Sequence, residues 1–272
     1  MPLALYRCVE SSCRNKEHAL KVLKKLVVFV LLYLVFMVTL FPANVAISWL
    51  TLPKNISLSG VSGSVWAGKI AQANIDGRQL DNLSWQLLPA QLLKGQAAAE
   101  IIIGNRASAV NGKAWLGYSA AGLALKDVRI EAPLKWIIGN TRLPFRAEAQ
   151  GDITVMLAGF KQGTPWCEAL DGKAFASDLQ VNNQFGKYPL GELQVAMSCT
   201  DGQVQVAMDE ATNGLGISGT AVVGDKMQLV LDAKIRETDT MPSDLKKALS
   251  FLGRSDDMGY YPLKFNGRIP GL

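Results

Sequence analysis

Histidine is almost absent from this 272-residue sequence, in which His18 is the only one. Residues 51–272 therefore contain no imidazole, which excludes a Ser-His-Asp triad, a Cys-His pair and an H-E-x-x-H zinc site there. The side chain that most often transfers protons in enzymes is missing too. We expect a protein that is not an enzyme and that has no catalytic residue, bound metal or cofactor.

The sequence also lacks a strong charge imbalance outside its N-terminus. It carries 28 Lys and Arg against 23 Asp and Glu, a net charge of +5. Residues 1–50 hold six of the basic and two of the acidic residues, so residues 51–272 contain 22 basic and 21 acidic ones. Because neutralising nucleic-acid phosphates needs a dense basic surface, the composition disfavours nucleic-acid binding.

Two short motifs suggest enzymes but have simpler explanations. The G-x-G-x-x-G of residues 214–219 matches the dinucleotide-binding fingerprint, which requires a helix after it. The residues that follow have a strand pattern, so we predict a β-hairpin. Ser243 and Lys246 have the S-x-x-K spacing of penicillin-recognising enzymes, but the accompanying K-T-G and S-D-N motifs are absent from the sequence. We predict a helix start there.

An uncharged run of 25 residues, 26–50, follows a basic N-terminal arm. About 20 apolar residues cross the hydrocarbon core of a bilayer, so the run is long enough to be a membrane anchor. A cleaved signal peptide is the alternative. It is disfavoured because Phe41 and Asn44 lie two residues before the small residues Ala43 and Ala46, where a cleavage site needs another small residue.

The charges on either side of the uncharged run predict its orientation. Five of the arm's basic residues lie within 14–25, whereas the nearest cations after the run are Lys54 and Lys69. The positive-inside rule then leaves the arm in the cytoplasm and the remainder of the chain across the membrane. We predict three segments: a basic cytoplasmic arm at 1–25, a transmembrane anchor at 26–47 and a β-rich domain at 48–272.

The four cysteines divide between the two predicted compartments. Cys8 and Cys13 lie in the arm, where a reducing cytoplasm would keep them as free thiols. Cys167 and Cys199 lie in the domain, in a compartment that permits disulfides. We predict a bridge between them, which would close a loop of about 32 residues and add roughly 3–4 kcal/mol to the free energy of unfolding. Two buried free thiols are the alternative.

Alternation of apolar and polar residues dominates the predicted domain. In residues 203–209, Val204, Val206 and Met208 alternate with polar side chains, and the Asp201-Gly202 pair joins them to a similar strand at 193–197. The same period of two predicts further strands at 83–87, 127–131 and 228–235. Other Asn-Gly or Asp-Gly pairs, each a predicted turn, lie at 76–77, 111–112, 171–172, 213–214 and 266–267.

Helix signals are few and short. We predict helical turns at 89–94 and 133–139 and a helix at 241–252, where Pro242 suits the first turn and Gly253 ends the pattern. The fold class is therefore mainly β: one N-terminal transmembrane helix followed by an antiparallel β-sheet domain with a few short helices. The sheet is predicted to be either a sandwich or a curved, half-open sheet. Tryptophans in such strands are expected in its core.

Several stretches of the sequence share the pattern of a known family. They are T-L-F-P-A-N-V-A at 39–46, L-S-G-V-S-G-S-V-W-A-G-K-I-A at 58–71, L-D-N-L-S-W-Q-L-L-P at 80–89, P-W-C at 165–167, Cys199, and Y-P-L-K-F-N-G at 261–267. On these residues the chain resembles the general secretion pathway protein N family of bacterial type II secretion systems. The resemblance covers about residues 20–272 and is most specific across 58–89.

The resemblance implies a single-pass protein of the bacterial inner membrane with a periplasmic C-terminal domain. It implies an accessory role in the export of folded proteins across the outer membrane. The expected partners are other secretion components, either the inner-membrane platform or the outer-membrane secretin. The family has no catalytic residues to carry over to this sequence.

A function of a different class is the alternative: a membrane-anchored β-sheet that handles lipid or acyl chains. The apolar stretch at 97–103 is compatible with an apolar inner face and equally with an ordinary core. A continuous apolar groove would favour lipid handling. A filled sandwich with a bare sheet edge would favour the role in assembly.

Overall fold

One long helix, α1 (Leu3–Thr39), contains both the basic arm and most of the uncharged run. The computed structural model describes residues 3–139, 148–183, 186–225, 228–239 and 241–268, with side chains described from residue 21 onward except at 244 and 248. Residues 21–39 have a mean hydropathy of 2.3, are not buried, and have the length and composition of a membrane span. A short helix, α2 (Ala43–Ser48), begins after Pro42, which separates it from α1.

The domain that follows is built on thirteen antiparallel strands in one sheet, and each strand pairs with the next along the chain. This confirms the mainly β fold class, and of the two predicted arrangements it is the single sheet rather than the sandwich. The strands are β1 (Ile56–Gly63), β2 (Ala67–Ile75), β3 (Arg78–Leu87), β4 (Ala97–Ile103), β5 (Asn111–Ser119), β6 (Gly122–Pro133), β7 (Glu148–Gln162), β8 (Cys167–Asn183), β9 (Gly186–Thr200), β10 (Gln203–Asn213), β11 (Ile217–Val223), β12 (Gln228–Arg236) and β13 (Tyr260–Arg268).

Half of the six predicted Asn-Gly and Asp-Gly turns are present. Asp76-Gly77 joins β2 to β3 and Asp201-Gly202 joins β9 to β10, in each case with positive φ at both residues, as a tight hairpin requires. Asn213-Gly214 lies at the connection of β10 to β11. The other three pairs, at 111–112, 171–172 and 266–267, were predicted wrongly, because they lie inside β5, β8 and β13.

Close packing explains the glycines inside those strands. A Cβ atom at Gly172 would collide with the Leu157 side chain on the neighbouring strand, and one at Gly112 would lie 3.0 Å from the Ile130 side chain. A Cβ atom at Gly267 would lie 2.9 Å from the ring of Phe265. Glycine therefore makes room for a neighbouring side chain at these positions rather than allowing a turn.

Three short helices lie close to the predicted positions. They are α3 (Pro89–Leu92), α4 (Leu134–Ile138) and α5 (Ser243–Leu249), the last continued by a 3-10 turn at Ser250–Leu252. Pro89 begins α3, where its missing N–H costs no hydrogen bond. Gly253 follows the 3-10 turn with φ near +125°, a conformation that favours glycine.

One face of the sheet, here called the apolar face, carries apolar side chains on every strand. Residues paired directly across strands share a face, so the register traces this face from strand to strand. Val155, for example, pairs with Ile130 of β6 and with Ala174 of β8. Representative residues of the apolar face, one per strand, are Val61, Ile70, Leu83, Ile101, Ala114, Ile130, Val155, Ala174, Val195, Val206, Ala221, Leu231 and Leu263.

Helix α4 covers the apolar face near its first strands. The Trp136 indole N–H donates to the Gln79 carbonyl at 2.9 Å, and Arg78 Nη2 donates to the Ile137 carbonyl at 2.9 Å. In a flat sheet the three spacings between β3 and β6 would separate those strands by about 14 Å. Because α4 follows β6 directly and still reaches β3, we conclude that the sheet curls toward its apolar face.

Helix α5 covers the same face at the other end of the sheet. Leu249 is 2% exposed and packs with Ile235 and Met241, and Tyr261 and Leu263 of β13 pack against this cluster. The matching cluster under α4 contains Ile70 and Ala132. Two separate cores, one at each end of the sheet, therefore hold the domain together.

We predict that removing a side chain from the core under α4 destabilises the domain. Ile70 is 6% exposed, so Ile70→Ala should lower the free energy of unfolding by about 3 kcal/mol, through lost burial and the cavity left behind. Ile102 lies on the opposite face and is 55% exposed, so Ile102→Ala is the matched control and should cost less than about 1 kcal/mol. Urea unfolding of the full-length protein in detergent measures both. Equal losses would contradict the assignment of the faces.

Candidate binding surfaces

The described residues contain no group of three or more His, Cys, Asp or Glu side chains placed to hold a metal ion. The G-x-G-x-x-G motif lies in the β10–β11 connection, and β11 begins at Ile217, so the predicted hairpin is confirmed. Ser243 begins α5 and Lys246 follows within it, as predicted.

The first surface is the junction between α1 and the sheet. The Trp66 indole N–H donates to the carbonyl of Val38 in the last turns of α1 at 2.8 Å, and the Val65 N–H donates to the Phe41 carbonyl at 3.0 Å. Pro42 and Ser64 form an isolated antiparallel bridge. The β1–β2 hairpin is thus hydrogen-bonded to the end of the apolar helix. An open cleft of about 360 Å³ lies there, lined by Met37, Val38, Phe41, Val65 and Trp66.

The second surface is the middle of the apolar face, over β8–β10. Under α4 and α5, residues of this face such as Ala132 and Ile235 are 4% and 6% exposed. Helix α4 also contacts β7, and Ile217 of β11 packs against the core under α5. Val195 of β9 and Val206 of β10 are half-buried. Among the described residues, β8–β10 therefore carry the part of the apolar face that contributes to neither core.

The third surface is the edge strand β13, which has no second strand partner in the described chain. The Tyr260 N–H donates to the Asp256 carboxylate and the Tyr260 carbonyl accepts from the Asp256 N–H, both at 2.9 Å, so these groups point away from β12. This direction repeats every second residue in an antiparallel strand. Pro262, Lys264 and Asn266 therefore present their backbone groups to the open edge, and Pro262 is tolerated because its ring needs no ladder hydrogen bond there.

A disulfide joins Cys167 and Cys199, with their Cα atoms 6.1 Å apart, so the predicted bridge is present. The Cys167 N–H donates to the Gly202 carbonyl at 3.2 Å, and the Trp166 indole N–H donates to the Gly224 carbonyl at 2.9 Å. The β7–β8, β9–β10 and β11–β12 connections are therefore linked at one end of the sheet. Cys8 and Cys13 belong to the part of α1 whose side chains are outside the described ones.

A small polar cluster connects β10 to the last two strands. The Tyr260 hydroxyl donates to a Glu210 carboxylate oxygen at 2.7 Å, and the same carboxylate forms an ion pair with Arg236. The Lys234 ammonium lies 4.0 Å from the centre of the Tyr260 ring. The hydrogen bond to Glu210 is the main reason that the pKa of Tyr260 is raised, with burial adding to it and the charge of Arg236 opposing it. The cluster stabilises the strands next to the open edge.

Sequence reasoning missed the role of the tryptophans, which it placed simply in the core. Four of them donate their indole N–H to a distant backbone carbonyl: Trp66, Trp85, Trp136 and Trp166. Each therefore fixes a connection or a helix to the sheet in addition to packing. The carbonyl partners are up to 58 residues away in the chain, so no local sequence pattern predicts these hydrogen bonds.

Comparison with known proteins places these surfaces in context. The family described as "Type II secretion system (T2SS), protein N" matches residues 54–264, which include almost all of the sheet. Proteins named type II secretion system protein N are 28% identical over 89% of the chain and 96% of the Aeromonas hydrophila protein, and 28% identical over 84% of the chain and 91% of the Vibrio cholerae serotype O1 protein. The Klebsiella pneumoniae protein of that name is 24% identical over 80% of the chain and 85% of its own length. No solved structure is significantly similar to the chain.

We predict that the disulfide contributes measurably to stability. Replacing both cysteines, Cys167→Ser with Cys199→Ser, should lower the free energy of unfolding by about 3–4 kcal/mol, because the bridge restricts a loop of 32 residues in the unfolded chain. Urea unfolding with and without a reducing agent measures this. Reductant should destabilise the parent protein and leave the double variant unchanged. A parent protein insensitive to reduction would disprove the contribution.

We also predict that Glu210→Gln lowers the pKa of Tyr260 toward the usual tyrosine value of about 10, because the charged acceptor that favours the neutral phenol is removed. Since folding raises this pKa, the stabilising contribution is complete below pH 10 and is lost as pH rises through the raised value. Absorbance titration, subtracting the Tyr260→Phe counterpart of each protein, isolates this residue. The control Glu100→Gln, on an exposed position of β4, should leave the titration unchanged.

Proposed function

Because the chain belongs to the type II secretion system protein N family, we propose that it is an accessory component of the secretion machine in the bacterial inner membrane. In this role it assists the export of folded proteins across the outer membrane by binding or stabilising other secretion components. The observation that carries the proposal is the family match across residues 54–264, the β-sheet domain itself. The family consists of secretion components rather than enzymes.

The proposed arrangement in the cell has three parts: residues 1–25 in the cytoplasm, residues 26–47 in the inner membrane and residues 48–272 in the periplasm. Two observations support it. The arm's cations precede an apolar helix of membrane-spanning length, which fits the positive-inside rule. The Cys167–Cys199 disulfide suits an oxidising compartment such as the periplasm.

We further propose that the open edge of β13 is where another secretion component binds, by adding a strand to the sheet. The β1 end of the sheet is hydrogen-bonded to α1 and so lies at the membrane. Twelve strand spacings of about 4.8 Å separate β1 from β13, which places the open edge up to about 58 Å along the sheet from the junction. The partner proposed is the inner-membrane platform or the outer-membrane secretin.

A proline substitution tests the proposed edge. Lys264→Pro should reduce export of a secreted protein in cells that lack the parental copy, because it removes an outward N–H that an added strand would need. Lys264→Ala is the matched control: it also loses the side chain, which is 71% exposed, but it keeps the N–H and should export normally. Thermal unfolding of both variants verifies that the sheet is intact.

Photocrosslinking in living cells identifies the partner in the same experiment. A photoreactive residue at position 264 should capture a protein of the platform or the secretin, whereas one at the exposed Ala207 of β10 should capture much less. Normal export by Lys264→Pro, together with no secretion component captured at position 264, would disprove binding at this edge. Absence of secretion components from every position of the domain would disprove the accessory role.

A further inference from the structure

The uncharged part of α1 is short for a helix that crosses a bilayer. It runs from Leu26 to Thr39, 14 residues that make about 21 Å of helix. The hydrocarbon core is about 30 Å thick, so about 9 Å remains to be spanned. Lys24 and Lys25 can reach the headgroups from within the core and so shorten this distance. The uncharged sequence continues only in the other direction, as far as Pro53, so the groups next to the sheet are placed to supply the remainder.

Large apolar side chains that follow Thr39 are exposed at this end of the helix. They are Leu40, Trp49 and Leu50, of which Trp49 is 74% exposed. Helix α2 lies between them in the sequence and carries no charged residue. The Trp49 ring lies 5.4 Å from the ring of Phe41, which brings the end of α2 back beside the end of α1. Exposed apolar side chains of this kind are stable in a bilayer, and tryptophan is typical of its interface.

The β1–β2 turn, residues 64–66, belongs to the same apolar surface. The open cleft at the junction is lined by Met37, Val38, Phe41, Val65 and Trp66. Because Met37 and Val38 are part of the membrane-spanning helix, the cleft opens into the lipid that surrounds this helix. The turn lies on the other wall of the cleft, so lipid tails that cover the end of α1 also contact the turn.

The hydrogen bonds of the turn suit a place without water. The Val65 N–H donates to the Phe41 carbonyl at 3.0 Å, and the Val65 carbonyl accepts from the Trp85 indole N–H at 2.9 Å. The Trp66 indole N–H donates to the Val38 carbonyl of α1 at 2.8 Å. In hydrocarbon, each polar backbone group needs a partner within the protein. These bonds allow the turn to enter the bilayer without leaving those groups unpaired.

Lys69 limits how deep the turn can insert. The sequence has no charged residue between Lys54 and Lys69, and Lys69 is exposed on β2, three residues after Trp66. Three residues of strand extend about 10 Å, which is close to the distance of about 9 Å that α1 leaves unspanned. A turn inserted to this depth places the Lys69 ammonium at the headgroups, where a lysine side chain is stable.

From these observations we propose that the β1–β2 turn is inserted among the lipid tails of the leaflet in which α1 ends. The first hairpin of the sheet is then a second anchor beside α1, and two attachments instead of one hold the domain at the membrane. The inference rests on the proposed placement of α1 in the inner membrane and is independent of the role in export.

Thiol labelling in cells tests the insertion in the full-length protein. Ala67→Cys places a thiol next to the turn and Ile75→Cys places one at the other end of β2, and both residues are exposed. Cys8 and Cys13 are replaced by serine, and the Cys167–Cys199 disulfide does not react. A charged maleimide that is added to the periplasm should modify position 67 at least about tenfold less than position 75, because a charged reagent enters hydrocarbon at a high cost. Both thiols should react equally after denaturation.

Photocrosslinking identifies what covers the turn. Benzoylphenylalanine at position 67 should capture phospholipid, with at least about tenfold fewer adducts at position 75, because the reactive group captures what lies within contact distance. Adducts at 67 with another protein or a second copy of this chain, in place of lipid, would overturn the inference. Equal maleimide modification at 67 and 75 would overturn it and leave the proposed periplasmic placement intact. Modification at neither position would overturn the placement, and the inference with it.

Discussion

Nearest-neighbour antiparallel pairing is the constraint on which the rest of this structure depends. Each of the thirteen strands pairs only with the strands before and after it in sequence, so every ladder forms from segments that are close along the chain. Tight connections such as Asp201-Gly202 suffice to reverse the chain. The same pairing fixes the register, and because side chains alternate with a period of two, one register aligns the apolar residues at alternate positions of every strand on a single face.

A single sheet with one apolar face must protect that face from water. Here a helix covers the face at each end of the sheet, whereas the middle strands belong to neither core. The hydrogen bond from Trp136 to β3 holds α4 over the first strands, and α5 packs over the last strands through Leu249. Between them, β8–β10 contribute no residue to either core, and their described side chains on this face, such as Val195 and Val206, are half-buried. The disulfide and Trp166 link connections at one end of these middle strands, so they strengthen the sheet without covering its face.

The sequence predicted the strands and two of the tight hairpin turns well because both depend on local chemistry. Alternation and an Asp-Gly pair act within a few residues, and β9, β10 and their turn lie where they were expected. The Asn111-Gly112 pair was wrongly predicted to be a turn, because glycine occurs both in turns and inside strands where a neighbouring side chain leaves no room for a Cβ atom. At Gly112 that side chain is Ile130, on the neighbouring strand. A sandwich and a single sheet have the same local alternation of apolar and polar residues. Only the order in which the strands pair distinguishes the two arrangements. The tryptophan hydrogen bonds are long-range and have no local signature.

The open edge and the apolar face differ in the chemistry that they offer to a partner. The edge of β13 presents backbone N–H and C=O groups, which a protein strand satisfies and a hydrocarbon does not. The apolar face presents carbon alone, and helices α4 and α5 cover it at its two ends, through Trp136 and Leu249. A strand added at β13 would extend the sheet in its own plane, so it would leave the packing of α5 against Tyr261 and Leu263 on the apolar face in place.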